Sequence, residues 1–143
     1  GRPSRLDVLA ELTIEEFEFG ANFKFSHNNK TYRLKIPRGL PPDHYIKYQL
    51  DSGEHVRIIL KQKPHEHFER EYFDLTVKVP LTYGEICNGL DIELNILNNK
   101  ILVNIPPNMK FNSLLRIRNQ GLWDEEDQER GDLYLKLVPK AVN

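Results

Sequence analysis

The sequence has almost no cysteine. Cys87 stands alone among 143 residues. This excludes an intrachain disulfide and any cysteine-rich zinc module, and it fits a reducing compartment. Long apolar runs are missing as well. No stretch is long enough to span a bilayer, and the N-terminal residues contain no signal-peptide core, so no membrane association is expected. Net charge is nearly absent, with 20 Lys and Arg against 21 Asp and Glu. That balance argues against a general binder of polyanions, nucleic acid included. There is no glycine-rich phosphate loop, no Ser/His/Asp order and no paired-carboxylate motif. Nothing favours an enzyme, and no cofactor is expected.

What the chain does contain is a repeat. Leu81-Thr82-Tyr83-Gly84-Glu85-Ile86-Cys87-Asn88-Gly89 echoes Leu12-Thr13-Ile14-Glu15-Glu16-Phe17-Glu18-Phe19-Gly20. Both copies then run without insertion or deletion to Ile-Pro, at Ile36-Pro37 and Ile105-Pro106. A constant offset over that distance points to one structural unit used twice. Two copies are too few for a solenoid. Two cores of this size would each be marginal alone.

Each copy reads the same way. Leu6, Val8, Ala10 and Leu12 alternate with polar or exposed positions, as in a strand with one buried face. Thr13 followed by Glu15-Glu16 is an N-cap with acids in the first turn. A short helix over Ile14–Phe19 is stopped by Gly20. Phe23, Phe25 and His27 form a second strand, Asn28-Asn29 a hairpin turn, and Tyr32, Leu34 and Ile36 the return. Tyr45–Leu50 and Val56–Leu60 are two more strands. The second copy places strands at Leu75–Leu81, Leu90–Ile96 and Ile101–Ile105, a helix at Tyr83–Asn88, and a turn at Asn98-Asn99. Leu115–Arg118 and Leu133–Leu137 complete it. Gly39 after the first Ile-Pro becomes Asn108 after the second; both residues tolerate positive φ. The acidic segment Trp123–Glu129 has no counterpart in the first copy. The fold class is therefore mainly β: two tandem, similar antiparallel subdomains, sandwich- or barrel-like, each with one short helix. The expected division is 1–66 and 67–143.

Three features could carry chemistry. His65 and His67 would share one face of a strand and could meet one metal ion, but no further ligand cluster accompanies them, and a surface junction is the expectation. Cys87 reads as a buried structural thiol, since no activating group is evident. Asp124–Glu129 lacks the ligand spacing and central glycine of a calcium loop. No metal site is expected. The halves differ in charge: residues 1–64 carry 11 basic against 8 acidic residues, and residues 65–143 carry 9 against 13.

The order strand, Leu-Thr-x-x-Glu-x-x-x-Gly, hairpin, Ile-Pro resembles the C-terminal substrate-binding region of DnaJ-type (J-domain) co-chaperones. Lys63-Pro64-His65-Glu66-His67-Phe68-Glu69-Arg70 is similar to that family's junction between two β-subdomains. Gly121-Leu122 and Arg130-Gly131-Asp132-Leu133-Tyr134 are similar to its motifs before the last strand. Gly53-Glu54-His55-Val56 departs from the usual Gly-Asp-Leu-Tyr. The stretch contains no helical J-domain with its His-Pro-Asp tripeptide and no zinc domain, so it is similar to the β-subdomains of a zinc-less member. The family's dimerisation helix would follow Pro139. The resemblance therefore implies a monomer for this stretch and a homodimer if such a helix follows.

The resemblance also implies a function. In the family, an apolar groove on the first subdomain takes hydrophobic segments of non-native client polypeptides. Here it would be lined by Val8, Ala10, Phe25, His27 and Phe68, with Phe23 nearby; position 27 is usually aliphatic. The family also binds the acidic C-terminal tail of the seventy-kilodalton heat-shock chaperone, for which Lys24, Arg33, Lys35 and Arg38 are the candidate cations. A cytoplasmic location follows from the same resemblance. The alternatives are a member that binds curved DNA, which the near-neutral charge opposes, and a regulatory fragment with a degenerate groove.

Overall fold

The computed structural model describes residues 5–141. Each copy of the repeat begins with a strand that hands over to a capped helix. In the first, β1 (Arg5–Leu12) ends at Thr13 and α1 (Ile14–Phe19) begins. The Thr13 hydroxyl accepts the Glu16 N–H at 3.1 Å, and the Glu16 carboxylate accepts the Thr13 N–H at 3.0 Å. In the second, β7 (Asp74–Leu81) passes through Thr82 into α2 (Tyr83–Asn88), with the reciprocal Thr82–Glu85 bonds at 3.1 and 2.9 Å. Two otherwise orphaned backbone donors are thus satisfied in each copy.

A two-stranded ribbon follows each helix: β2 (Ala21–His27) with β3 (Lys30–Ile36), and β8 (Leu90–Ile96) with β9 (Asn99–Ile105). Asn28 and Asn29 both have positive φ, the geometry that suits a two-residue hairpin. In the second ribbon the turn residues are Leu97 and Asn98, at φ 46° and 70°, one position earlier than the Asn98-Asn99 expected. The repeat offset, more than residue preference, sets this turn, and it forces a leucine into the left-handed region.

Two compact units result. Among the described residues, the first runs to residue 65 and includes 123–128, and the second comprises 66–122 with the chain from 129 onward. The acidic segment of the second half therefore packs with the first unit, which reading the chain in order did not anticipate. In the first unit, β4 (Tyr45–Gln49) and β5 (His55–Gln62) join β1 in a sheet ordered β1-β5-β4. β5 is antiparallel to β4 but parallel to β1, with Val8 opposite Ile58. Ala10, Leu12, Val56, Ile58 and Leu60 from this sheet, with Leu50 just after β4, meet Phe25, Tyr32 and Ile36 from the ribbon in one core.

The second unit adds β6 (Phe68–Glu71), β10 (Leu114–Ile117) and β13 (Leu133–Pro139) to β7, in the order β10-β13-β7-β6. β7 and β13 are again parallel. Two short strands, β11 (Trp123–Asp124) and β12 (Glu129–Arg130), flank the acidic turn. The fold is mainly β, as the alternation indicates, with one parallel pair in each unit that the alternation alone does not reveal. No helix among the described residues is long and apolar enough to cross a membrane.

The second unit also explains its own glycines. The Phe73 carbonyl accepts the Leu122 N–H at 2.8 Å, and a Cβ on Gly131 would lie 2.1 Å from that carbonyl oxygen. Asp132 accepts the Asn119 N–H at 3.0 Å and pairs with Arg116 at 2.6 Å, which together hold its carboxyl below the usual range. Gly131→Ala should therefore destabilise the protein by about 1–3 kcal/mol through overpacking. Gly84→Ala should stabilise it by about 0.5 kcal/mol through helix propensity, because nothing lies within 4 Å of a Cβ there. Urea denaturation of the two variants should give opposite signs.

Candidate functional site

β1 and β2 carry the residues of the expected groove, but not all at equal depth. Ala10 is 0% exposed and Phe25 8%, and both belong to the core of the first unit. Phe25 stacks on Tyr32 at 5.3 Å and on Phe23 at 6.0 Å, and meets Tyr48 edge-on at 6.2 Å. Val8 and Phe23 are half-buried, packed against the same core with Leu6 and Leu34. Leu6, Val8, Phe23 and Leu34 thus remain partly exposed, while Ala10 and Phe25 are buried in the core.

His27 is also half-buried. Its Nε2 lies 3.6 Å from the Glu54 carboxylate and 3.3 Å from the Asn28 amide. His27 and Glu54 are both positions where the sequence departs from the family pattern, and here they face each other. The imidazole at an otherwise aliphatic position therefore has a polar partner. Phe68 belongs to the second unit, where it is buried opposite Val77 on β7.

The two units differ at one sheet edge. β7 is covered on its outer edge by β6, which runs antiparallel to it. In the first unit β1 is an edge strand, and no strand among the described residues pairs with its outer side. By the repeat offset Val77 corresponds to Val8. An extended segment therefore lies in the second unit along the edge that the first leaves open.

The four candidate cations separate into two groups. Lys24 and Arg33 are opposite each other across the ribbon, and Lys35 is opposite Asn22; all three cations are exposed. With Asn22, Phe23 and Leu34 they line a shallow depression of about 470 Å³. Arg38 sits elsewhere. Its Nη2 is 3.3 Å from the carboxylate of Glu18, a residue only 1% exposed, and its guanidinium lies 5.3 Å from the Trp123 ring. Lys35 and Arg38 share a neighbouring cleft of about 950 Å³ with Phe19, Asn22 and Pro37. Glu18 and Trp123 went unread in the sequence. The available signal was that Glu18 stands where the second copy has Cys87.

The remaining candidates are plainly placed. His65 Nε2 is 2.9 Å from Glu15, while His67 is exposed beside Glu66 at 3.8 Å. Among the described residues no group of three His, Cys, Asp or Glu could hold a metal ion. Cys87 is half-buried rather than buried, because α2 is a single surface turn whose Ile86 alone packs inward. Its thiol meets the Tyr83 hydroxyl, a contact that raises the tyrosine pKa.

Depth determines what substitution should do. Phe25→Ser removes a buried ring from the core and should cost about 3–5 kcal/mol of stability. Phe23→Ser removes a half-buried one and should cost about 1–2 kcal/mol. Urea denaturation should rank them in that order, so Phe23 rather than Phe25 is the position at which to test binding.

Comparison with known proteins agrees with this architecture. The family described as DnaJ C terminal domain matches residues 6–140. Chaperone protein DnaJ 2 of Aquifex aeolicus is 35% identical over 124 residues, covering 78% of this chain and 33% of the relative. Chaperone protein DnaJ of Francisella tularensis subsp. tularensis is 30% identical over 119 residues, covering 76% and 32%. That of Halalkalibacterium halodurans is 28% identical over 125 residues, covering 80% and 34%. The chain spans about a third of the length of these curated relatives. With its twice-used strand–helix–ribbon unit and its match over residues 6–140, the chain belongs to the DnaJ C-terminal domain family.

Proposed function

We propose that this chain is the client-binding module of a chaperone, non-catalytic, which holds extended apolar segments of non-native polypeptides and passes them to the seventy-kilodalton heat-shock chaperone. In this reading residues 1–66 carry the client site and residues 67–143 form the second subdomain. The names of the curated relatives support the chaperone role. The open edge of β1 supports the site. β6 occupies the corresponding edge of β7 with Phe68 across from Val77, so a client segment lies along β1 with an apolar side chain across from Val8, against Phe23. Main-chain hydrogen bonds to a strand edge give affinity that tolerates many sequences, and side-chain contacts add selectivity. Lys24, Arg33 and Lys35 supply the positive side of the ribbon for the partner's acidic tail.

An extended apolar peptide should bind weakly, and Phe23→Ser should weaken it about tenfold, the value of roughly half a buried aromatic side chain. The same peptide N-methylated at alternate amides should lose binding if strand addition is the mode. Fluorescence anisotropy measures both. Equal affinity for wild type and Phe23→Ser would remove this surface from consideration, and indifference to N-methylation would remove strand pairing.

A further inference from the structure

We infer that the acidic hairpin Trp123–Gln128 is an internal competitor that occupies Arg38 and withholds it from acidic peptides. The inference rests on the tail-binding reading above and concerns the regulation of that site. The hairpin is held at one place by several contacts within the first unit. The Trp123 N–H donates to Glu18 Oε2 at 3.2 Å, while the other oxygen of Glu18 holds Arg38. The guanidinium of Arg38 stacks on the Trp123 indole. The indole N–H donates to the Glu125 carboxylate at 2.6 Å, and the Glu125 N–H donates to the Gly39 carbonyl at 3.1 Å. The Trp123 bond first, and Arg38 among smaller causes, lower the pKa of Glu125.

The receiving residues are those in which the first copy departs from the second. Glu18, Arg38 and Gly39 stand where the repeat offset places Cys87, Pro107 and Asn108. The turn itself is kept: the Gly39 N–H donates to the Phe17 carbonyl and the Asn108 N–H to the Ile86 carbonyl, both at 3.0 Å. Both residues have positive φ, 79° and 62°. Asparagine would therefore satisfy the backbone at position 39. What it would not satisfy is the hairpin, since a Cβ there would lie 2.7 Å from the Glu125 nitrogen and 2.8 Å from its Cβ. Glycine is needed at this turn because the hairpin covers it.

Arg38 also shares its cleft with Lys35, which reaches the depression containing Lys24 and Arg33. A carboxylate peptide lying along these cations meets Arg38 last. To pair with it, the peptide must displace the Trp123 ring and compete with Glu18 and Glu125. The acid content of the hairpin thus sets the affinity and the length of acidic peptide that the face accepts.

Trp123 is the only tryptophan, so its emission reports the docked state directly. The test uses the full chain and a fluorescein-labelled eight-residue peptide with three carboxylate side chains and a free C-terminus. Two variants alter the hairpin: Glu125→Gln removes the competing charge, and Gly39→Asn expels the hairpin while keeping the turn. Glu125→Gln should tighten binding by about two- to fivefold, the size of one exposed charge contact. Gly39→Asn should tighten it at least as much and shift Trp123 emission to the red before peptide is added. Saturating wild type with peptide should produce the same shift. A thermal melt confirms that each variant is folded, and if Gly39→Asn does not fold, Glu125→Gln alone decides. Equal affinity for wild type and folded variants, with Trp123 emission unmoved by peptide, overturns the inference and leaves tail binding standing. If no variant binds the peptide, the tail-binding reading fails and the inference falls with it.

Discussion

The first unit depends on the parallel pairing of β1 with β5. Eight residues of β1, Arg5 to Leu12, are held in register against His55 to Gln62. A parallel pair cannot be closed by a tight turn, so the helix, the ribbon and β4 all lie in the connection between its two strands. Their placement follows from that closure. Val8 and Ala10 lie beside Ile58 and Leu60, and the ribbon then covers the shared apolar face with Phe25 and Tyr32. The pairing also decides which edge of β1 is used. One side is committed to β5, and only the other is left for anything that binds by strand addition. The same pairing of β7 with β13 in the second unit leaves the corresponding edge, and there the chain covers it itself with β6.

Duplication gives two scaffolds with the same caps, turns and pairings, and differences between them are where roles can separate. The helix caps agree to within 0.1 Å in their hydrogen bonds. Such agreement marks positions where the backbone has little freedom. Glu18, Arg38 and Gly39 lie outside the caps and differ in residue type from their twins Cys87, Pro107 and Asn108. A buried carboxylate is expensive unless it is hydrogen-bonded and paired. Glu18 has both an arginine and the Trp123 backbone N–H, so the acidic hairpin contributes to the satisfaction of this buried carboxylate.

Much of this architecture was legible from local pattern. The helix bounds Ile14–Phe19 and Tyr83–Asn88 follow from Thr caps and Gly stops, and the strands follow from alternation. What could not be read were partnerships over long separation. Alternation marks β1 and β5 as strands without saying that they run parallel. The junction Phe68–Glu71 is too short and too charged to read as a strand by itself, and it becomes one because β7 has an edge to offer. The hairpin at Trp123 reads as a solvated acidic loop until Glu18 and Gly39 are seen beneath it. Depth was equally hidden: Phe23 and Phe25 are on the same face two residues apart, and only the position of Tyr32 and Tyr48 makes one of them core.

That difference in depth also governs what kind of binder the first unit can be. With Ala10 and Phe25 committed to the core, the apolar positions of β1 and the ribbon considered for binding reduce to four half-buried side chains, Leu6 and Val8 on the edge strand and Phe23 and Leu34 on the ribbon. Four partial burials are too little to order a long segment tightly, given the entropy lost by both partners. The backbone donors and acceptors of β1 do not read sequence, and the side chains beside them ask only for something apolar. On the proposed reading, such a surface would suit many unrelated extended segments and hold none for long, the behaviour required if a captured segment must be released to another protein. Tighter binding would need a deeper pocket, and deepening this one means drawing Phe25 out of the core that keeps the unit folded.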